Sequence, residues 1–410
     1  MDIVPILKTL GRHKVIIGLL VLEIALSCAI VCNGVFLVVQ RLHHLNMPSG
    51  VAEHQLVLIQ QAPIRPAPDR YARAREDLAT LRRIPGVAAV AITNQVPFGG
   101  FSSNTNVRLT PAQPHPTLNA GTYFGGGLVP ALGLHLIAGR TFRSDEYANA
   151  GVILAALASG KGGIFPAPVI ITRALAERLW PAQDALGKMF WLTPEASFRV
   201  IGVVAALARA NAYHTATAQY SMIIPLRMGA GKDQTYLIRT RPQDRQRVVG
   251  AAERALKQAD PERIITHATT FDAVRSDYFR NDRAMAGILI AVIVAVLLVT
   301  GLGIVGLASF WVGQRRRTIG IRRALGATRA DILHYFQTEN FIIVTIGIVL
   351  GMILAYGLSL LLMLHYQMPH LPLVYLPIGA IALWLLGQLA VLGPALRASR
   401  VPPVVATRSV

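Results

Sequence analysis

The sequence predicts an α-helical membrane protein with four transmembrane helices plus a large extracytoplasmic mixed α/β domain. Three observations predict it. The 410 residues are 53% apolar with a mean hydropathy of +0.47. That is too apolar for an ordinary soluble chain and too polar for a bundle wholly in lipid. Four apolar stretches reach the length of about 20 helical residues that a hydrocarbon core requires. Between the first and second lies a long segment of short β-branched runs alternating with amphipathic ones.

The elements follow in order. Residues 1–14 mix Ile3, Val4, Ile6, Leu7 and Leu10 with basic residues. They read as a cytoplasmic amphipathic helix lying along the inner membrane surface, with a frayed leader as the alternative. The first span is 15–39. Its apolar run exceeds a signal-peptide core and no A-x-A-like site follows, so it reads as an anchor. It holds the only cysteines, Cys28 and Cys32, four apart on one helix face. They read as small packing residues. Residues 40–284 form the outside domain, and 285–312 the second span. Residues 313–340 make a basic linker, 341–364 the third span, 365–373 a short outer loop, 374–396 the fourth span and 397–410 a cytoplasmic tail.

Orientation follows from positive charge in short flanks. Lys8, Arg12 and Lys14 precede the first span. Arg315, Arg316, Arg317, Arg322, Arg323 and Arg329 fill the linker, and Arg397, Arg400 and Arg408 follow the fourth span. The loop HYQMPHLP has no Lys or Arg. Both termini and the linker are therefore expected in the cytoplasm, and the long domain outside. The net charge of +19 invites a nucleic-acid reading. No basic run carries interleaved aromatics, and no zinc-finger or RNA-binding motif occurs, so nucleic acid is set aside.

In the outside domain strands are expected at 54–60, 88–93, 169–172, 198–204, 221–224 and 235–240. Helices are expected at 69–83, 173–180, 244–259 and 271–281, with Thr172 as an N-cap and Pro181 as a stop. The order is β-α-β early, a Gly/Pro-rich middle, and β-α-β late. The outer pieces together predict a ferredoxin-like split subdomain, with a second subdomain of about 99–224 inserted into it.

Catalytic motifs are absent: no H-E-x-x-H, G-x-S-x-G, Walker A or strand-led G-x-G-x-x-G occurs. Gly125–Gly127 reads as a loop. His43, His44, His54, His115, His135 and His214 lack ligand spacing, so no metal site is expected. Asp145 and Glu146 read as solvated turn residues.

The segment QRRRTIGIRRALGATRADILHYF, 314–336, is the most informative. A basic cluster suits the lipid headgroups. A short helix, 319–325, is stopped by Gly326, which accepts a left-handed conformation. Thr328 and Asp331 then have capping-box spacing at the start of a long helix. Ile319, Ile321 and Leu325 are left needing a surface, either the inner leaflet or a cytoplasmic protein.

This linker resembles the IG-I-R-x-A-L-G-A signature of the FtsX-like permeases of ABC transporters. The ending PALRASRVPPVVATR is similar to the family's P-A-x-R-A-S-x-x-x-P-x-x-A-L-R. YFGGGLVPALGLHLIAGRTFRSDE, PVIITRALAERLWPAQDALGKMF and FRVIGVV resemble the periplasmic core domain of MacB-type permeases. The resemblance covers nearly the whole chain. It implies a coupling helix that contacts an ATPase, here Thr318, Ile319, Gly320, Ile321, Arg322, Arg323, Ala324, Leu325, Gly326 and Ala327. Thr318 stands where the family usually has Glu, which puts a polar contact by that residue in doubt.

The resemblance further implies a permease that is not itself catalytic and binds no cofactor. ATP and Mg would sit on a separate ABC ATPase dimer, since no ATPase domain is read in this chain. It implies a second permease chain, identical or related, together with membrane lipid, a periplasmic adaptor and an outer-membrane channel. The expected location is the bacterial inner membrane. The expected function is mechanotransmission: ATPase movement is carried through long helices to the outside domain, for export or efflux from the periplasm. Lipoprotein extraction, cell-wall hydrolase activation and a non-transporting ligand sensor are the alternatives.

A continuous helix running from Phe271 through the second span would serve as the rod, at about 1.5 Å per residue. Gly347 and Gly351 in the third span, and Gly301, Gly303 and Gly306 in the second, are candidates for close helix packing. Glu23 is an acid within the first span, expected to snorkel or meet a partner. Glu339, at the entry to the third, is expected to pair with nearby arginines.

Overall fold

The computed structural model describes residues 14–64, 68–149, 151, 166–212, 215–231, 234–366 and 371–400. The amphipathic segment before Lys14, His214, residues 367–370 of the outer loop and the tail from Val401 lie outside them. The chain divides into two units, Asn46–Arg280 and the remainder, and each is described by itself.

Among the described residues the first unit contains two large sheets and a two-stranded one. The smaller of the two large sheets is made by β1 (Leu56–Pro63), β2 (Val87–Thr93), β12 (Thr235–Thr240) and β13 (Arg263–Thr270). Its order is β13-β1-β12-β2, and every neighbouring pair is antiparallel. Helix α1 (Lys14–Leu45) precedes it in sequence. Helix α2 (Arg70–Arg82) links β1 to β2, and α5 (Arg245–Ala259) links β12 to β13. Asp69 caps α2, accepting from the N–H groups of Tyr71 and Ala72. Alternation fixes the core: Val57, Ile59, Tyr236 and Ile238 point from their strands onto Leu81, Val248, Ala252 and Leu256 of the two helices.

An ion pair is buried in that core. Arg263 donates to Asp77 at 2.8 Å and to Gln61 at 2.8 Å, and the Tyr236 hydroxyl donates to the other oxygen of Asp77 at 2.6 Å. Removal from water is costly for both charges, so the network holds only because each partner is present.

The larger sheet lies between β2 and β12 in the chain. Its strands are β3 (Asn104–Val107), β4 (Leu118–Phe124), β5 (Leu136–Gly139), β7 (Ala167–Thr172), β8 (Met189–Thr193), β9 (Ala196–Val204) and β10 (Ser221–Ile224). The order is β3-β4-β10-β7-β9-β5, with β8 also on β9. The short strands β6 (Ala148–Asn149) and β11 (Leu226–Arg227) pair separately. Helices α3 (Leu128–Leu132) and α4 (Arg173–Leu179) accompany this sheet, and Thr172 caps α4 by accepting from the Leu175 N–H. Phe190, Phe198, Val169, Ile171 and Leu175 lie at its core.

Two expectations change here. Glu146 is no free turn carboxylate: Arg140 grips it through two nitrogens at 2.8 and 2.6 Å, and it accepts from the Arg143 N–H. The Arg140 guanidinium holds its carboxyl below the ordinary glutamate range. The rod from Phe271 is also interrupted. Helix α6 (Phe271–Tyr278) ends at Phe279, and α7 (Arg280–Gln314) begins anew. Phe279 is buried against Phe98 and Tyr278, with the Arg275 guanidinium over its ring. Phe98 holds φ +60°, which costs a residue with a side chain about 1–2 kcal/mol and is maintained by that aromatic packing.

The second unit holds α1, α7, α8 (Arg316–Ala324), α9 (Arg329–Tyr366) and α10 (Tyr375–Ser399). Among the described residues four helices, α1, α7, α9 and α10, are long and apolar enough to cross a membrane. Leu20, Ile24, Cys28 and Cys32 of α1 pack with Ile343, Val344 and Ile348 of α9 and Leu376, Ala380 and Leu383 of α10. Both cysteines are reduced and fully buried.

Candidate functional site

The basic linker builds a compact elbow. Arginines occupy the first turn of α8, where the helix dipole disfavours positive charge. Tertiary contact must therefore hold this helix. It comes from Ile319, which is 4% exposed and sits among Val312, Ile332, Phe336, Ala395 and Ala398. Ile319 thus finds its surface within the chain, unlike the expectation for it. Gly320 is buried beside it, and Ala327 packs at the edge of the same cluster.

The outward face carries Thr318, Ile321, Arg322, Ala324, Leu325 and Gly326. Ile321 is 45% exposed and Leu325 83%, one turn apart on a single stripe. Three arginines are held by neighbours. Arg315 lies over the Trp311 ring, Arg322 over Tyr335 at 4.7 Å, and Arg323 donates to the Ser399 carbonyl at 3.1 Å.

The ends of the elbow are fixed locally. Gly326 takes φ +102°. The Ala327 N–H returns to the Arg322 carbonyl at 3.0 Å, and the Gly326 N–H to that of Arg323 at 3.2 Å. That is a Schellman stop. Two residues on, the Thr328 N–H donates to Asp331 Oδ2 at 2.9 Å and the Asp331 N–H to Thr328 Oγ1 at 3.2 Å. This reciprocal cap launches α9. Glu339, 1% exposed, accepts twice from Arg315 Nη1 at 3.0 and 2.8 Å, tying the end of α7 to α9.

The membrane glycines divide. A Cβ on Gly347 would meet Ile24 at 2.7 Å, and one on Gly351 would meet Cys28 at 2.4 Å, so both admit α1 closely. Gly301 faces Leu386 at 3.4 Å. Gly303 faces the Glu23 carboxylate, whose oxygens lie 2.8 Å from where its Cβ would be. Among the described residues nothing lies within 4 Å of where a Cβ on Gly306 would be.

Sequence reasoning missed the polar seam that continues from Glu23 between α1 and α7. The hydroxyls of Ser27 and Thr300 are 2.7 Å apart. Farther along, Asp282 receives Arg41 at 2.5 Å and lies 3.0 Å from His44 Nδ1. The opposite charges at matching ends of two antiparallel apolar helices were the available signal. In α9, Asn340 donates to the Gly387 carbonyl of α10 at 2.9 Å. Among the described residues no group of three His, Cys, Asp or Glu side chains is placed to hold a metal ion.

Comparison with known proteins finds two family domains along the chain. The MacB-like periplasmic core domain matches residues 22–259, and the FtsX-like permease C-terminal domain matches 290–403. The macrolide export ATP-binding/permease protein MacB of Nitrobacter winogradskyi is 34% identical over 126 residues, 30% of this chain and 20% of that protein. The ABC transporter permease YvrN of Bacillus subtilis is 35% identical over 107 residues, 26% of each chain. The ABC transporter permease YknZ of the same organism is 22% identical over 346 residues, 82% of this chain and 80% of that one. This chain thus spans a fifth to a quarter of the length of the first two. The solved periplasmic region of MacB from Actinobacillus actinomycetemcomitans covers 56% of this chain and 94% of its own, at 13% identity and a TM-score of 0.35. With the core-domain match covering more than half of the residues and the permease match following it in order, the chain belongs to the FtsX-like, MacB-type permease family.

Proposed function

We propose that this chain is the membrane subunit of an ATP-driven ABC transporter, and that α8 is where a separate ATPase subunit engages it. The carrying observation is the asymmetry of α8: one face is anchored by Ile319, and the other presents Ile321 and Leu325 unpartnered on a basic linker. A partner that binds ATP and Mg would push on that stripe. The Schellman stop, the Thr328 cap and the Arg315–Glu339 pair would pass the displacement into α7 and α9.

In this reading the four long helices each cross an inner membrane, with the linker and both termini in the cytoplasm. Asn46–Arg280 is then the periplasmic domain. The strand order β13-β1-β12-β2 supports a ferredoxin-like split subdomain, with the larger sheet as the inserted one. Two permease chains, identical or related, form the working unit, and the exposed face of α7 with Leu298, Val299 and Leu302 suits lipid or a second chain. Efflux from the periplasm through an adaptor and an outer-membrane channel fits the size of the outside domain.

The test is stimulation of the purified ATPase by this permease in proteoliposomes. Ile321→Asp with Leu325→Asp is expected to lower stimulation about tenfold or more while leaving the permease folded and membrane-inserted. Full stimulation and unchanged co-purification would rule out docking at α8.

A further inference from the structure

An arginine of the larger sheet has been framed and left without an acid. Strands β3 and β4 pair Asn104 with Gly121 and Asn106 with Asn119, so these four residues share one face. Gly121 leaves a gap in that face, and the stem of Arg209 fills it: a Cβ there would meet Arg209 Cγ at 3.1 Å. The half-buried guanidinium then lies diagonally between two asparagines. Its Nε donates to Asn104 Oδ1 at 3.3 Å, and Nη2 donates to Asn119 Oδ1. The main chain is pinned as well, because the Arg209 N–H donates to the Ala218 carbonyl and its own carbonyl accepts from the Phe98 N–H.

The chemistry of that frame is one-sided. A guanidinium can only donate, so both asparagines must turn their oxygens toward it. The Asn119 amide nitrogen then donates to Asn106 Oδ1 at 3.1 Å, and the Ser102 hydroxyl donates to Asn104 Oδ1 at 2.9 Å. All three amide oxygens are thereby engaged. What remains facing outward is mainly donor: the amide nitrogens of Asn104 and Asn106 and the end-on edge of Arg209 at Nη1, beside one spare acceptor position each on the Asn106 and Asn119 oxygens. Among the described residues Nη1 has no hydrogen-bond partner, and it is not among the buried polar atoms that lack one, so it reaches solvent. Among the described residues no carboxylate forms an ion pair with Arg209, and half-burial pulls its pKa below the ordinary arginine value. The opposite charge of a bound anion would offset that cost.

We propose that Arg209 and its asparagine frame form a binding site for the carboxylate of a small oxygen-rich molecule. The side-on edge of the fork is occupied by Asn104 and Asn119, which leaves the end-on edge for two carboxylate oxygens. One cation among neutral amides matches a monoanion; a phosphate dianion would remain half neutralised. The unused amide N–H groups of Asn104 and Asn106 suit neighbouring hydroxyl oxygens. Phe101, 75% exposed and three residues before Asn104, offers an aromatic face on the adjoining loop. None of this rests on the transport reading.

The experiment titrates galacturonate onto the full chain in phosphatidylcholine nanodiscs, followed by saturation-transfer NMR. Galactose serves as the uncharged counterpart, and inorganic phosphate and phosphatidylglycerol vesicles as the other oxyanion sources. Saturable galacturonate binding that galactose does not displace is expected. Arg209→Met should weaken it about tenfold or more. Asn104→Asp keeps the shape, supplies the missing acid from within, and should weaken binding equally while the melting temperature holds or rises. Absence of saturable binding overturns the site, as do variants that bind galacturonate as tightly as the unchanged chain, displacement by galactose, and tighter binding of phosphate or phosphatidylglycerol.

Discussion

Glycines in the spanning helices show how a residue of one type takes different duties. Gly347 and Gly351 lie against α1 with no room for a methyl group, whereas Gly306 opens on space. Gly351→Ala is expected to destabilise the bundle by about 1–3 kcal/mol, because a Cβ would have to displace Cys28 and the α1 backbone. Gly306→Ala should change stability by less than about 0.5 kcal/mol. Urea unfolding in detergent, monitored by the four tryptophans, compares the two. The spacing of Gly347 and Gly351 was legible in the sequence. Which glycines meet a neighbour was not, since that depends on how the helices rotate against each other. Glu23 was legible as an anomaly because an acid within an apolar run is a local signal, whereas its neighbour Gly303 was not, since that contact depends on helix rotation.

At the scale of the element, caps were the most readable features. Gly326, Thr328 and Asp331 announce the elbow because their signals are local: a left-handed φ and a reciprocal hydrogen bond four residues wide. Gly326→Ala should cost about 1–2 kcal/mol locally and speed amide exchange through Arg322–Ala327, measured by hydrogen–deuterium exchange. Unchanged exchange there would show that the stop does not depend on the glycine.

Strands were less legible. Ser221–Ile224 and Thr235–Thr240 were read at their observed limits because they are β-branched and bounded by turns. Asn104–Val107 is polar and Leu118–Phe124 contains a glycine, so propensity is silent on both; cross-strand pairing makes them strands. The end of α6 at Phe279 was also hidden. Nothing in the helix pattern forbids continuation, and burial of the ring among aromatics distant in sequence decides it.

For the whole molecule, the arrangement of charge is what supports the proposed topology. Arginines gather in the linker after α7 and at the end of α10, the side proposed to be cytoplasmic, while residues 41–284 carry an excess of their own, 28 Lys and Arg against 17 Asp and Glu, which a long translocated domain tolerates. Ser102→Cys is expected to react with an impermeant maleimide applied from outside intact cells and not from the cytosolic side of inverted vesicles. The native Cys28 and Cys32 are fully buried and give little background. Labelling from the cytosolic face would reverse the assignment of sides.

Thr93 and Thr235 stand opposite each other across β2 and β12, although the larger sheet separates them in the chain. That sheet receives the chain at Asn104 and releases it at Ile224, at one end, with only β4 between. Once folded, it therefore delivers its two ends about 14 Å apart, two strand spacings across and three residues along. The loop-closure entropy that the small sheet would otherwise meet when joining β2 to β12 has by then been absorbed. Strands β1 and β2 are not neighbours, so β12, which comes after the insertion in the chain, must enter between them before the small sheet is complete.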